Sequence, residues 1–323
     1  MNDLKIKIKY FMKNNQIGMA LIISALLFAT NVILNPSSLN VNGIGSIITL
    51  TLILMIASAG QTLVIISDGI DMSVGATMTL TAIISTSIMK SQEDPILVVY
   101  ALIAVLIVGA VIGLLNGLGA AKIGLPPLII TLSMSNVVTR LQYVYTGGQP
   151  TGRASEWFTK SITYRHFGFL PNGLIYGVVI FAIVFYVLKY TRYGQQIFLI
   201  GNNKRAAELT GIKSTKIKVM NYMFAGMLAG FAGLIGAGYM NFTMGGAFES
   251  YTIMSIVAVV VGGTILSGGK GSYVGTLAGA LLMVVLSNSL AVLKLSQSVK
   301  DIIMGIVLIL LLAAYNREKP VRQ

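Results

Sequence analysis

The chain alternates between long apolar runs and short polar breaks. Ten runs stand out, near residues 17–34, 44–66, 74–89, 95–118, 126–145, 173–190, 219–238, 252–267, 273–293 and 299–315. None shows the apolar–polar alternation in segments of about ten that marks a transmembrane strand. A helix needs about 20 mostly apolar residues to cross the hydrocarbon core. The pattern therefore predicts an all-α, polytopic bundle of about ten spans, one transmembrane domain over residues 1–323. Two runs fit least well: 74–89 is short, and 126–145 contains Arg140 and Gln142. The first run follows Lys5, Lys7, Lys9 and Lys13, as a secretory leader would. No small-x-small cleavage site follows cleanly, so it is read as a retained span.

Composition strengthens this picture. Of 323 residues, 55% are hydrophobic and 10% charged, against about 25% charged in soluble domains. Too few charges remain to cover a water-facing surface, so lipid must cover much of it. There is no cysteine and one histidine, His166, which excludes disulfides, thiol chemistry and a His-based metal site. The 35 glycines suit close helix packing in a bilayer. They fall at four-residue spacing in Gly109/Gly113/Gly117, Gly226/Gly230 and Gly275/Gly279, which predicts packing faces.

The net charge of +13 would suggest nucleic acid in a soluble protein. Here it is read as the positive-inside bias, with no nucleic-acid partner. With ten spans and both termini cytoplasmic, sixteen basic residues lie inside and six outside, with Arg140 within a span. The inside set includes Arg317, Lys319 and Arg322 near the C-terminus. It also includes Lys189, Arg192, Lys204, Arg205, Lys213, Lys216 and Lys218 between the sixth and seventh spans. The longest outside loop, 146–172, carries the only tryptophan, Trp157. Either it lies on the membrane as an amphipathic helix, or it is a docking surface for an extracytoplasmic partner.

Residues 67–75 read SDGIDMSVG and place Asp68 and Asp71 between two apolar runs. A carboxylate at the centre of a membrane helix costs about 2.5–3.5 kcal/mol on insertion scales. One solution is a short cytoplasmic turn with both acids in water. The other is a broken helix buried in protein beside a polar cavity, the setting in which irregular backbone is tolerated at membrane depth. Gly69 and Gly75 would let the backbone turn, and Asp71 would cap the next helix through the Ser73 or Val74 N–H.

Residues 201–219 read GNNKRAAELTGIKSTKIKV. Asn202 or Asn203 can cap a helix, and Gly211 suits the left-handed position past its end. The result is a helix of about two turns, too short to stand alone in water, with Ala206 and Ala207 small enough to admit a partner groove. This segment resembles the coupling helix of permease subunits of bacterial ATP-binding-cassette importers, especially those for ribose, galactose and other monosaccharides. The family pattern GxNxxAAxxxGI is matched by Gly201, Asn203, Ala206, Ala207, Gly211 and Ile212, with Glu208 on the same helix. SDGIDMSVG resembles the family's GIDLSVG, with Met72 in place of leucine. Leu125, Pro126 and Pro127 resemble its LPxF segment, although Pro127 is unusual there. Tyr145, Thr146, Gly148 and Pro150 resemble YTxGxP. Residues 259–281 resemble VxGGTSLxGGxGxxxGTxxGAL, with Ile265 in place of serine.

The resemblance implies a multi-pass subunit of the bacterial plasma membrane that pairs with a second permease, identical or not. An extracytoplasmic binding protein would deliver sugar, and a cytoplasmic subunit gripping residues 201–212 would use ATP and magnesium. No cofactor would sit in this chain. GGTILSGGKGS is no phosphate loop: Thr264 stands where the first glycine is needed, and Gly271 where Ser or Thr would bind magnesium.

The substrate path is expected along polar positions of apolar spans: Gln61, Asn116, Asn136, Asn241 and Asn288 foremost, with Thr62, Thr131, Ser133, Ser135, Asn221, Ser255 and Ser289. These neutral groups suit an uncharged polyhydroxy substrate. Taken singly, each is accounted for by interhelical hydrogen bonding worth about 0.6 kcal/mol. Asp68, Gly69, Asp71, Ser73 and Gly75 form the candidate broken-helix segment. The competing function class is an ion-gradient-driven transporter of a small neutral solute, which would explain intramembrane acids. A membrane enzyme lacks any His/Asp/Cys constellation. If Asp71 holds this segment in shape, Asp71→Ala lowers yield of folded protein or transport; wild-type expression and uptake in that variant would count against it.

Overall fold

The computed structural model describes residues 15–167 and 169–315. Lys5, Lys7, Lys9 and Lys13, and Arg317, Lys319 and Arg322, on which the charge argument partly rests, lie outside the described residues. The described chain forms thirteen helices: α1 Gln16–Leu34, α2 Val41–Ile66, α3 Val74–Met89, α4 Pro95–Gly117, α5 Pro127–Thr146, α6 Glu156–Thr163, α7 Leu174–Tyr190, α8 Arg192–Asn202, α9 Lys204–Leu209, α10 Ser214–Met240, α11 Tyr251–Val261, α12 Tyr273–Val292 and α13 Gln297–Tyr315. A two-residue hairpin pairs Arg165–His166 with Leu170–Pro171.

Helix starts follow local chemistry. The Asp94 carboxylate accepts the Ile96 N–H at 2.9 Å, with Pro95 at the first helical position. Thr191 Oγ1 accepts from Gly194 N at 3.1 Å, and Asn15 Oδ1 from Gly18 N at 2.9 Å. Each bond satisfies a donor that the first turn leaves orphaned.

All ten apolar runs coincide with helices. Among the described residues, five helices are long and apolar enough to cross a membrane: α1, α2, α4 with its π-turn extension, α10 and α12. A sixth is gained if α7 and α8, bent by 67°, count as one span. The run at 252–267 is shorter than the sequence suggests: α11 stops at Val261, because Gly262 and Gly263 follow and Gly263 takes φ +96°.

α2 is the buried axis. In its most apolar window 89% of residues are buried, against 17% in α1 and 28% in α4. α10 packs against α2, α3 and α4, and α12 against α1, α2 and α11. The outer helices turn large apolar side chains outward, such as Ile33, Ile107, Ile175 and Ile309. Such a surface suits hydrocarbon.

The glycine faces meet backbone. A Cβ on Gly113 would overlap the Tyr222 carbonyl, and one on Gly109 the Gly226 carbonyl, so α4 and α10 touch along their main chains in antiparallel register. Gly275 lies on Gly262 and Gly279 on Ala258, so α11 and α12 meet the same way. Small residues permit this approach, and apolar packing in lipid depends on it. Gly113→Ala should therefore lower the melting temperature of the purified protein, by overpacking worth about 1–3 kcal/mol. Gly305→Ala, whose Cβ meets nothing within 4 Å, should leave it unchanged or raise it.

Candidate functional site

The candidate coupling segment is built from two helices. α8 lies in the basic stretch between the sixth and seventh apolar runs, where the charge pattern alone marks no helix before residue 201. Tyr193, Ile197 and Ile200, at i, i+4 and i+7 behind the Thr191 cap, are the signal that could have revealed it; Ile197 and Ile200 are buried. Gly201 and Asn202 then belong to the last turn of α8. Asn203 starts α9, its Oδ1 accepting from Ala206 N at 3.0 Å. The turn closes as expected, with Gly211 at φ +85° and Ile212 N donating to Ala207 O at 3.2 Å.

Within this segment the residues face two ways. Asn203, Ala206, Glu208 and Gly211 are exposed. Gly201, Ala207 and Ile212 turn inward, which corrects the expectation that both alanines face a groove. Ala207 is buried and Ile212 packs on the main core. A Cβ at Gly201 would overlap the Ile66 carbonyl oxygen and the Gly269 nitrogen. Leu209, which the sequence reading passed over, is 84% exposed. Its place three residues after Ala206 in a charged helix was the available clue. The Lys204–Glu208 pair, 4.0 Å apart and solvent-exposed, contributes little.

The Gly201 contact joins three segments that the sequence singled out separately. Gly269 N donates to Ile66 O at 2.9 Å, so the 262–272 loop is bonded to the end of α2. Gly268 and Gly269, at φ +81° and +76°, bring that loop against Asp68, Gly201 and Asn202. From the start of α10, Lys218 Nζ donates to Asp68 O at 3.1 Å and lies 3.4 Å from its Oδ2.

The 67–73 elbow assigns its two acids different environments. Asp68 takes φ +59° and faces outward beside Lys218, which fits the solvated-turn reading. Asp71 is 1% exposed, which fits the buried broken-helix reading. Its Oδ1 accepts from Ser73 N at 2.8 Å and Ser73 Oγ at 2.6 Å, with Asn116 Nδ2 at 3.4 Å. The bond to Ser73 N fixes the turn; Val74 N is not its partner, so Asp71 is a turn-former ahead of α3 rather than its N-cap. Thr131 of α5 and Thr252 of α11 accept from Met72 N and Gly75 N, each at 3.0 Å. Tyr222 OH donates to Ile70 O at 3.4 Å and fills the space beside Gly69. Helices α4, α5, α10 and α11 all hold this elbow.

The five foremost path residues do not form one constellation. Asn116 is committed to Ser73 Oγ at 2.8 Å. Gln61 is buried within α2, Asn288 is half-buried on α12, and Asn136 is exposed on α5. Asn241, at φ +67°, ends α10, where its carbonyl accepts from Ala154 N at 2.8 Å. Sequence spacing marks polar residues in spans but carries no information on which helix faces which. Among the others, Thr62 bonds Thr276 at 2.9 Å, and Asn221 accepts from Tyr193 OH at 2.6 Å. Ser133 and Arg140 share the exposed surface of α5 with Asn136.

At the opposite ends of the helices, loop 146–172 folds over the bundle. The Glu93 carboxylate accepts from Glu156 N at 2.7 Å and Trp157 N at 2.9 Å, anchoring α6. Phe158 and Ile162 are buried against Gly238 of α10, and Trp157 is half exposed. Lys160, 2.6 Å from Glu156, holds that carboxyl below its usual range. Arg165 bonds Asn42. A shallow cavity of about 310 Å³ is lined by Pro150, Gly152, Arg153 and Phe242. Among the described residues, no group of three His, Cys, Asp or Glu could hold a metal ion.

Residues 43–312 match the family described as branched-chain amino acid transport system permease components. The ribose import permease protein of Bacillus subtilis (strain 168) is 38% identical over 288 residues, covering 89% of this chain and 88% of that protein. The ribose import permease protein of Escherichia coli (strain K12) is 34% identical over 294 residues, 88% and 89% of the two chains. The fructose import permease protein of Rhizobium meliloti is 30% identical over 316 residues, 95% and 87%. No solved structure matches the chain. With 270 consecutive residues matched and curated relatives covered over most of their length, the chain belongs to this family of transport-system permease components.

Proposed function

We propose that this chain is the membrane-spanning subunit of an ATP-driven importer that carries a monosaccharide, ribose or a similar sugar, across the bacterial plasma membrane. The observation that carries the reading is the exposed face of α9. Leu209, 84% exposed beside Ala206 and Glu208, offers a partner's groove an apolar anchor. The partner fitted to that place is a cytoplasmic ATP-binding subunit, which would supply ATP and magnesium chemistry. The sugar imported by several relatives supports the substrate class.

Both termini and the α8–α9 segment then lie in the cytoplasm, and loop 146–172 faces the outside, where a sugar-binding protein would dock. A second permease subunit covers the polar side of α5. An arginine within a span belongs on a bundle interior or a water-filled cavity, so Ser133, Asn136 and Arg140 are placed on the path between two permeases. Closure of the ATPases pushes α9. The push reaches the elbow through Gly201, Ile66 and Gly269, because these contacts are backbone on backbone and cannot be absorbed by a rotating side chain.

The test is uptake of labelled ribose, fructose and galactose by cells expressing the full transporter. Uptake should survive a protonophore and stop on ATP depletion; the reverse outcome would favour the ion-gradient transporter. Leu209→Asp should release the ATP-binding subunit during co-purification and cut uptake, the loss of a buried apolar anchor being worth about 2 kcal/mol or more. Retained assembly and uptake in that variant would remove α9 from the coupling role.

A further inference from the structure

Among the described residues, one acid stands without a partner. Asp68, Asp71, Glu93, Asp94 and the remaining acids are each engaged by a hydrogen bond or an ion pair. Glu249 is exposed and its carboxyl is bonded to no described residue. The backbone around it is nevertheless fixed. Phe248, its ring buried, donates its N–H to Thr79 Oγ1 at 3.0 Å, and Thr252 Oγ1 accepts from Gly75 N.

The depth of Glu249 follows from α11. The loop after α11 is bonded to the Ile66 carbonyl, at the end of α2 assigned to the cytoplasm. The 11 residues of α11 reach about 16 Å, roughly half the hydrocarbon thickness. Contacts of Gly262 with Gly275 and of Ala258 with Gly279 set α11 antiparallel to the long apolar helix α12. Glu249 precedes α11 directly and therefore sits within the hydrocarbon rather than at its outer edge. A carboxylate at that depth belongs on a bundle interior or a water-filled cavity, not in lipid.

The neighbours of Glu249 belong to α5. Gly246 N donates to Gln142 Oε1 at 3.3 Å, Gly245 lies on the Tyr143 ring, and a Cβ on Gly246 would be 3.4 Å from the Glu249 carboxyl. Asn136, Arg140 and Tyr143 follow at i, i+4 and i+7 and form one exposed stripe of α5. Arg140 is likewise bonded to no described residue. This stripe is the side of α5 placed between the two permeases, and Tyr143 brings it against the segment that carries Glu249.

We propose that Glu249 is a sugar-binding residue on the path between the two permeases, its carboxylate accepting hydrogen bonds from neighbouring hydroxyls of the passing sugar. A carboxylate is acceptor-only, with two oxygens free for two hydroxyls, and such charge-assisted bonds are about twice as strong as neutral ones. Arg140, on the adjoining stripe, supplies donors to the same ligand. The ligand class is an uncharged polyol with vicinal hydroxyls. This inference rests on the sugar-import reading and adds a charged contact to a path otherwise read from neutral side chains.

The test uses proteoliposomes of the assembled transporter, supplied with binding protein and whichever of labelled ribose, fructose and galactose the wild type imports. Glu249→Gln should cut the maximal uptake rate about tenfold or more, while melting temperature, co-purification of the other subunits and KM for the loaded binding protein stay unchanged. Glu249→Asp, which keeps the carboxylate, should recover part of the rate. Uptake at the wild-type rate in Glu249→Gln overturns the proposal. So does a loss of melting temperature or of assembly along with uptake, which would give Glu249 a structural task such as an ion pair to the second permease. The chain contains no cysteine, so Glu249→Cys offers a single thiol in this subunit. That thiol should react with a water-soluble methanethiosulfonate in the nucleotide-free or the ATP-bound transporter; a thiol unreactive in both overturns the proposal. If the wild type imports none of the three sugars, the functional reading fails first; if it imports one and Glu249→Gln is indistinguishable, this inference alone fails.

Discussion

The amide of Gly269 donates to the carbonyl of Ile66, and Gly201 lies against the same oxygen. A helix end buried at the margin of a bilayer must satisfy its last carbonyls within the protein. Here one of them is met by a loop nine helices further along the chain, and the approach is close enough to exclude a side chain. The elbow after α2, the loop after α11 and the end of α8 are consequently held at fixed separation. The end of α8, from which α9 continues, is thereby set against the elbow.

Glycine supports the same logic elsewhere. Between lipid-facing helices there is no hydrophobic gain from association, since hydrocarbon surrounds both states. Close backbone approach at α4–α10 and α11–α12 substitutes dispersion and shape for that missing drive. One of these contact lines runs along α10, which also packs on α2 and α3, and the other joins α11 to α12.

Much was legible in sequence because one period and one composition dominate. The ten apolar runs became helices, the four-residue glycine spacings became contact faces, and Asn203 and Gly211 punctuated α9 as capping chemistry requires. Three features were not legible. The amphipathic α8 lies in a stretch whose basic residues dominate its composition, so the short period of Tyr193, Ile197 and Ile200 stands out only once the helix is seen. The end of α11 was placed too late, because Gly262 and Gly263 interrupt a run that stays apolar beyond them. The inward turn of Ala207 and the exposure of Leu209 depend on how α9 is set against α8, which its own six residues do not encode.

Sequence by itself determined the class of molecule, the positions of its helices and the family to which it belongs, because hydrophobic period, glycine spacing and capping are local and act before any tertiary contact exists. Only the tertiary structure decided that Asp68 faces out while Asp71 is buried, that Gln61 is buried while Asn136 is exposed, and that the polar residues of the spans do not converge on one point. Those outcomes depend on the rotation of each helix about its axis, which is set by the neighbours it packs against and by nothing within its own segment.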